Sequence, residues 1–212
     1  MPTAQEIVAF IGTHLAQNAE RVVNIAIGPR REGWFNAEAF VAINTNANIL
    51  SADSFAAYGE ESIGTVFSKV GIRPSGDSEE GKIPDLVGYG INHGGHDVSF
   101  VIEAKVLYSI DQDDGAAVLT SLDQQVRRAK TFFPHAICIG IVYAVAVAGK
   151  GCAQPEPFFT RVSAAMMSAL TEPTYAWCTN AVECVPNLHL RATTLPYPSS
   201  TLSLGLGGRY IT

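Results

Sequence analysis

The sequence predicts an α/β protein: a central mixed sheet flanked by helices, with helical elaborations before it and β-rich ones after it. Three observations predict this. Apolar residues recur at helical spacing in residues 3–23, 61–70 and 116–133. Two short apolar runs, Leu86-Val87-Gly88-Tyr89 and Val98-Ser99-Phe100-Val101-Ile102, flank Asn92-His93-Gly94-Gly95-His96, which reads as a hairpin loop. Residues 136–148 are almost continuously apolar, as in a strand covered on both faces.

Taken in order, Thr3 to Glu6 reads as a capping box that opens a first helix with Ile7, Ile11 and Leu15 along one stripe. Residues 28–33 break the pattern at Gly28 and Gly33. Asn36 is suited to cap a second helix through about Asn46. A third helix places Ile63, Val66, Phe67 and Val70 on one side, and residues 73–81 form a polar, glycine-containing loop. After the hairpin come an acidic turn at 111–115 and a helix from about Ala116 to Phe133. Val118, Leu122, Gln125, Ala129 and Phe132 share one face of that helix. The remainder reads as a helix over 157–170, strands over 175–178 and 188–193, and a Pro/Ser/Gly-rich end over 195–212. That end, with Leu202, Leu204 and Leu206 alternating, suits an edge strand, a dimer contact or a specificity element.

At 212 residues, 47% hydrophobic and 16% charged, the chain suits one globular domain spanning 1–212. The start, Met1-Pro2-Thr3-Ala4-Gln5-Glu6, lacks the basic region of a signal peptide, and the longest apolar run is too short to span a membrane. A cytoplasmic protein with reduced thiols is therefore expected. Cys138, Cys152, Cys178 and Cys184 show no CxxC pairing, which speaks against zinc; a Cys178–Cys184 disulfide stays open. A net charge of −6 argues against indiscriminate binding to nucleic acid. Local basic clusters remain, Arg30 and Arg31, then Arg127, Arg128 and Lys130. They read either as DNA contacts or as solvated faces.

Chemistry concentrates at the two ends of the hairpin. Asp85, in Ile83-Pro84-Asp85, opens its first run, and Glu103-Ala104-Lys105 closes its second. Residues i and i+2 of a strand point to one face, so Glu103 and Lys105 project together, and the hairpin can bring Asp85 beside them. Two carboxylates and an ammonium on one patch suit a divalent cation and a nucleophilic water. The plainer reading is a Glu/Lys pair keeping a sheet edge soluble.

Pro-Asp, a spacer and Glu-x-Lys together resemble the PD-(D/E)XK nuclease superfamily, the fold of many restriction endonucleases and repair nucleases, over about 34–147. The resemblance implies a restriction-endonuclease-like core. Such a core has three strands before the helix that follows Glu-x-Lys; two are legible here, and the third is expected near Val41–Leu50 or Ile72. The resemblance also implies Mg²⁺, with Mn²⁺ as substitute, on Asp85, Glu103 and the Ala104 carbonyl. Lys105 would orient or deprotonate the water, or stabilise the phosphate. It further implies a glutamate on an earlier helix, for which Glu38 is the candidate. The bare alternative for Glu38 is a first-turn residue facing the helix dipole, and Glu60 and Glu61 are rivals. Gln125 matches a supporting glutamine on the later helix, although Ala129 stands where part of the family carries a tyrosine.

His93 and His96 read as exposed loop residues, and Asp111, Asp113 and Asp114 lack the downstream glutamate of a calcium loop. The expected function is a Mg²⁺-dependent DNA endonuclease, such as a small restriction-type enzyme, with a homodimer compatible. The alternatives are a nuclease-fold DNA-binding or assembly module with little catalysis, and an interaction protein carrying only a salt-bridge cluster.

Overall fold

The computed structural model describes residues 3–18, 21–22, 31–45, 54–58, 61–92, 95–108, 115–147, 160–161, 164, 175–177, 185–189 and 201–211. Helix α1 spans Ala4–Gln17 and α2 Arg31–Asn44, followed by β1 Ser54–Tyr58 and α3 Ile63–Lys69. A 3-10 turn at Ser78–Gly81 leads to β2 Leu86–Asn92 and β3 Gly95–Tyr108. Helix α4 Ala116–Phe132 then precedes β4 Ile137–Val147, β5 Tyr175–Trp177, β6 Val185–His189 and β7 Thr201–Ile211. The strands form a seven-stranded sheet in the order β1-β2-β3-β4-β7-β5, with β6 also paired to β7. Only β3 and β4 run parallel, across the α4 connection; the other pairs are antiparallel, so the sheet is mixed.

Alternation along β3 and β4 sorts the core into two layers. Phe100, Ile102, Ala104, Ile139, Ile141 and Tyr143 pack against α1 and α2. Val101, Leu107, Cys138 and Val142 pack against α3 and α4. Helix α1 begins with the Thr3/Glu6 capping box and buries Ile7, Ile11 and Leu15 completely. Each such side chain contributes roughly 1.5–3 kcal/mol of transfer free energy. Helix α2 docks through Phe35, which stacks on Tyr143 at 4.6 Å between ring centroids. Gly88 pairs with Phe100, and a Cβ on it would lie 2.1 Å from the Phe100 ring. A glycine is required there to seat that ring. Cys138 is buried and free, and burial pushes its thiol up to about 12, so it serves as a small core residue.

Several boundaries differ from the sequence expectation. Helix α2 starts at Arg31, so Asn36 is an interior residue, 1% exposed, and not a cap. Gly33 does not break the helix, because Phe35, Ala39 and Ile43 bury a face whose packing outweighs one glycine. The third strand before α4 is β1, at Ser54–Tyr58. Residues 41–44 are helical, Ile72 is exposed coil, and 46–50 lie outside the described residues. β7 is no edge strand: it pairs with β4 along Thr201–Ile211 on one side and with β5 and β6 on the other. The strand expected over 188–193 is described at Val185–His189. Most of the helix expected over 157–170 lies outside the described residues, as do Cys152, Cys178, Cys184, His93 and the acidic turn at 111–114. No helix among the described residues is long and apolar enough to cross a membrane.

Candidate active site

The site forms where the hairpin opens. The β2–β3 register ends at Leu86 opposite Ile102, whereas β3 stays paired with β4 through Tyr108. From Glu103 onward β3 therefore has no described strand on its β2 side. Asp85, the residue before β2, stands at the mouth of that gap, and the Ala104 amide donates to its Oδ2 at 2.7 Å. A residue in an extended strand presents N–H and C=O to the same neighbour, so the Ala104 carbonyl also faces the gap.

Glu103 and Lys105 share the face of Val101 and Leu107, towards α4. Gly140 pairs with Glu103, and a Cβ on it would lie 3.0 Å from Val126 Cγ2 and 3.2 Å from Leu122 Cγ. Its bare backbone lets α4 approach the strand beside the glutamate. Glu103 is 4% exposed, and burial first, then the Asp85 charge, push its carboxyl up to about 8. Arg128, Lys105 and the Asp85 amide pull the other way. Burial likewise raises the Asp85 carboxyl, against the Ala104 amide and the Lys105 charge. Burial thus makes both carboxyls harder to ionise, and the Asp85 charge adds to the effect at Glu103.

The helix layers add residues that the sequence reading passed over. Lys105 Nζ donates to Glu32 Oε1 at 2.9 Å, from the first turn of α2. Asn36, one helical turn on, hydrogen-bonds the Asp85 carboxylate with its side chain, while its buried Oδ1 has no partner among the described residues. From α4, Arg128 sets Nη2 at 3.7 Å from Glu103 Oε1 and Nη1 at 3.4 Å from Glu79 Oε2. Gln125, three residues before Arg128, has a buried Oε1 without a hydrogen-bond partner among the described residues. The i, i+4 spacing of Glu32 and Asn36 was the available signal; it is hidden when the helix is started at Asn36.

Glu38 is corrected. It is buried on α2, but its Oε2 accepts from Arg21 and meets His14 Nε2 at 2.8 Å. It follows Asn36 by two positions, roughly 200° around the helix, so the two address different neighbours. Glu38 ties α1 to α2, and the helix carboxylate beside Lys105 is Glu32. Glu61 is likewise engaged elsewhere, accepting from Lys69 and from the Tyr89 hydroxyl, and Glu60 lies outside the described residues. Of the basic candidates, Arg127 pairs with Asp123 within α4 and Lys130 donates to the Ala136 carbonyl. Arg128 turns inward; Arg30 and the Arg31 side chain lie outside the described residues. His96 is exposed, at the edge of the Tyr89 ring.

Among the described residues, no group of three or more His, Cys, Asp or Glu side chains is arranged to hold a metal ion. The oxygens available at the gap are the Asp85 and Glu103 carboxylates and the Ala104 main-chain carbonyl. Such an all-oxygen set fits a hard divalent cation that retains waters, as Mg²⁺ does. Comparison with family models, with curated proteins and with solved structures gives no match.

Proposed function

We propose that the chain is a divalent-cation-dependent nuclease of the PD-(D/E)XK type, hydrolysing DNA phosphodiester bonds on a restriction-endonuclease-like core. One observation carries this reading: at the open end of the hairpin the Asp85 amide hydrogen-bonds buried Glu103, the Ala104 amide holds the Asp85 carboxylate, and the Lys105 charge acts on both acids. The element order supports it. Helix α2, three antiparallel strands, α4 and a strand parallel to β3 follow the family's arrangement of three strands before the helix and one after it.

Asp85, Glu103 and the Ala104 carbonyl would hold the cation. When bound, it lowers the pKa of a water and polarises the phosphate. Asn36 and the Ala104 amide fix the orientation of the Asp85 carboxylate. Lys105, steered by Glu32, brings a positive charge to the attacking water and the phosphate, where charge develops in the transition state. Glu32 thereby positions the ammonium.

Mn²⁺ titration by calorimetry tests the ligand set. Wild type takes up the ion with proton release, and Asp85→Ala abolishes uptake at neutral pH while the far-ultraviolet spectrum is unchanged. Equal uptake by wild type and variant contradicts the site.

A further inference from the structure

We propose that Arg128 is the phosphate-binding residue of this site, its guanidinium taking the oxygens of a DNA phosphodiester in exchange for Glu79. The inference rests on the nuclease reading and deepens it. Arg128 lies between two carboxylates and holds both loosely: Nη1 donates a long hydrogen bond to Glu79 at 3.4 Å, and Nη2 stands 3.7 Å from Glu103. A well-formed charge-assisted bond is about 2.7–2.9 Å. Its Nε is buried and has no hydrogen-bond partner among the described residues. A planar fork with five donors is thus held in place, 21% exposed, with much of its bonding capacity unused.

Glu79 is built to leave. It sits on the 3-10 turn Ser78–Gly81, which is anchored by other residues. Buried Glu80 accepts from the Ser75 amide and hydroxyl and from the Gly76 amide, and Asp77 caps the turn through the Glu79 amide. The Glu79 side chain is 47% exposed and keeps Arg128 only at 3.4 Å. A phosphodiester carries one negative charge, so replacing the carboxylate leaves the charge around the guanidinium unchanged. Glu103, at the other Nη, places the captured phosphate beside Asp85 and Lys105. Arg128 therefore meets the nucleic acid beside Glu103, whereas Arg127 and Lys130 are tied to α4 and its end.

Binding of a short labelled DNA duplex in Ca²⁺, followed by fluorescence anisotropy over a series of salt concentrations, tests this, with thermal melts as a control on folding. Arg128→Gln weakens binding about tenfold and lowers the slope of log affinity against log salt by about 1. Arg128→Lys restores the slope but not the full affinity, because the charge returns without the fork. Glu79→Gln tightens binding. Wild-type affinity and slope in Arg128→Gln overturn the inference; should that variant fail to fold, unchanged affinity in Glu79→Gln does so. Cleavage in Mg²⁺ is scored in parallel. Wild-type cleavage with no role for Arg128 leaves the nuclease reading standing and sinks the inference. Arg128-dependent binding without hydrolysis by wild type does the reverse, and a wild type that does not bind the duplex overturns both.

Discussion

A carboxylate 4% exposed and opposite another carboxylate ionises only at a cost that a cation removes, and Glu103 is such a group. Folded, it keeps its proton up to about 8; unfolded, it gives it up near 4.5. The folded state therefore binds the extra proton, so this contribution to stability is fully present below pH 4.5 and is lost as pH rises through 8. Glu80 acts in the opposite sense, because the Ser75 hydroxyl and the Ser75 and Gly76 amides hold it below the usual carboxylate range. The difference between wild type and Glu103→Gln isolates the effect. Without metal, Glu103→Gln gains in relative denaturation midpoint as pH is raised from 5 to 9. Saturating Mn²⁺ reverses the ranking, since only wild type binds it. A constant difference across that range contradicts the electrostatic account of the site.

At the scale of elements, α2 carries two carboxylates with different tasks. Glu38 faces α1 through His14 and Arg21, and Glu32 faces the sheet through Lys105. Glu38→Gln is expected to destabilise by about 1–2 kcal/mol through loss of charge-assisted bonds, with Mn²⁺ uptake unchanged. Glu32→Gln is expected to leave the melting temperature within a few degrees of wild type and to lower the cleavage rate about tenfold or more, since the ammonium loses its guide. Paired melts and single-turnover cleavage check both, and exchanged phenotypes would restore Glu38 to the site.

The same helix shows what a sequence exposes and what it hides. The hairpin and β4 are legible because their apolar runs are bounded by glycines and polar turns, and Asp85, Glu103 and Lys105 follow from strand parity. The start of α2 is hidden because Gly33 mimics a break and Asn36 mimics a cap; only the packed face of Phe35, Ala39 and Ile43 overrides them. Arg128 looks like its neighbour Arg127 in one dimension. Their difference lies in which side of α4 meets the β3 strand, and the periodicity of a basic cluster does not carry that.

Over the whole molecule, the parallel pair β3–β4 lies inside the sheet, with β2 and then β1 on one side and β7 on the other. β7 was ambiguous in sequence because its Leu202, Leu204 and Leu206 alternate with Ser and Gly. Pairing with β4, ten residues in register from Cys138 opposite Ile211 to Val147 opposite Leu202, fixes it as an interior strand. The arrangement buries the centre of the sheet on both faces and, from Glu103 onward, leaves β3 without a described strand on its β2 side, where Lys105 and Arg128 set positive charge within a protein of net charge −6. The central claim is that this site hydrolyses phosphodiester bonds with Lys105 as its positive charge. Cleavage of supercoiled plasmid in Mg²⁺ by wild type and Lys105→Ala measures it most directly. The account predicts nicking and linearisation by wild type, abolished by EDTA, and at least about a hundredfold slower in Lys105→Ala with Mn²⁺ uptake retained. Cleavage by Lys105→Ala at the wild-type rate, or none by wild type, would contradict it.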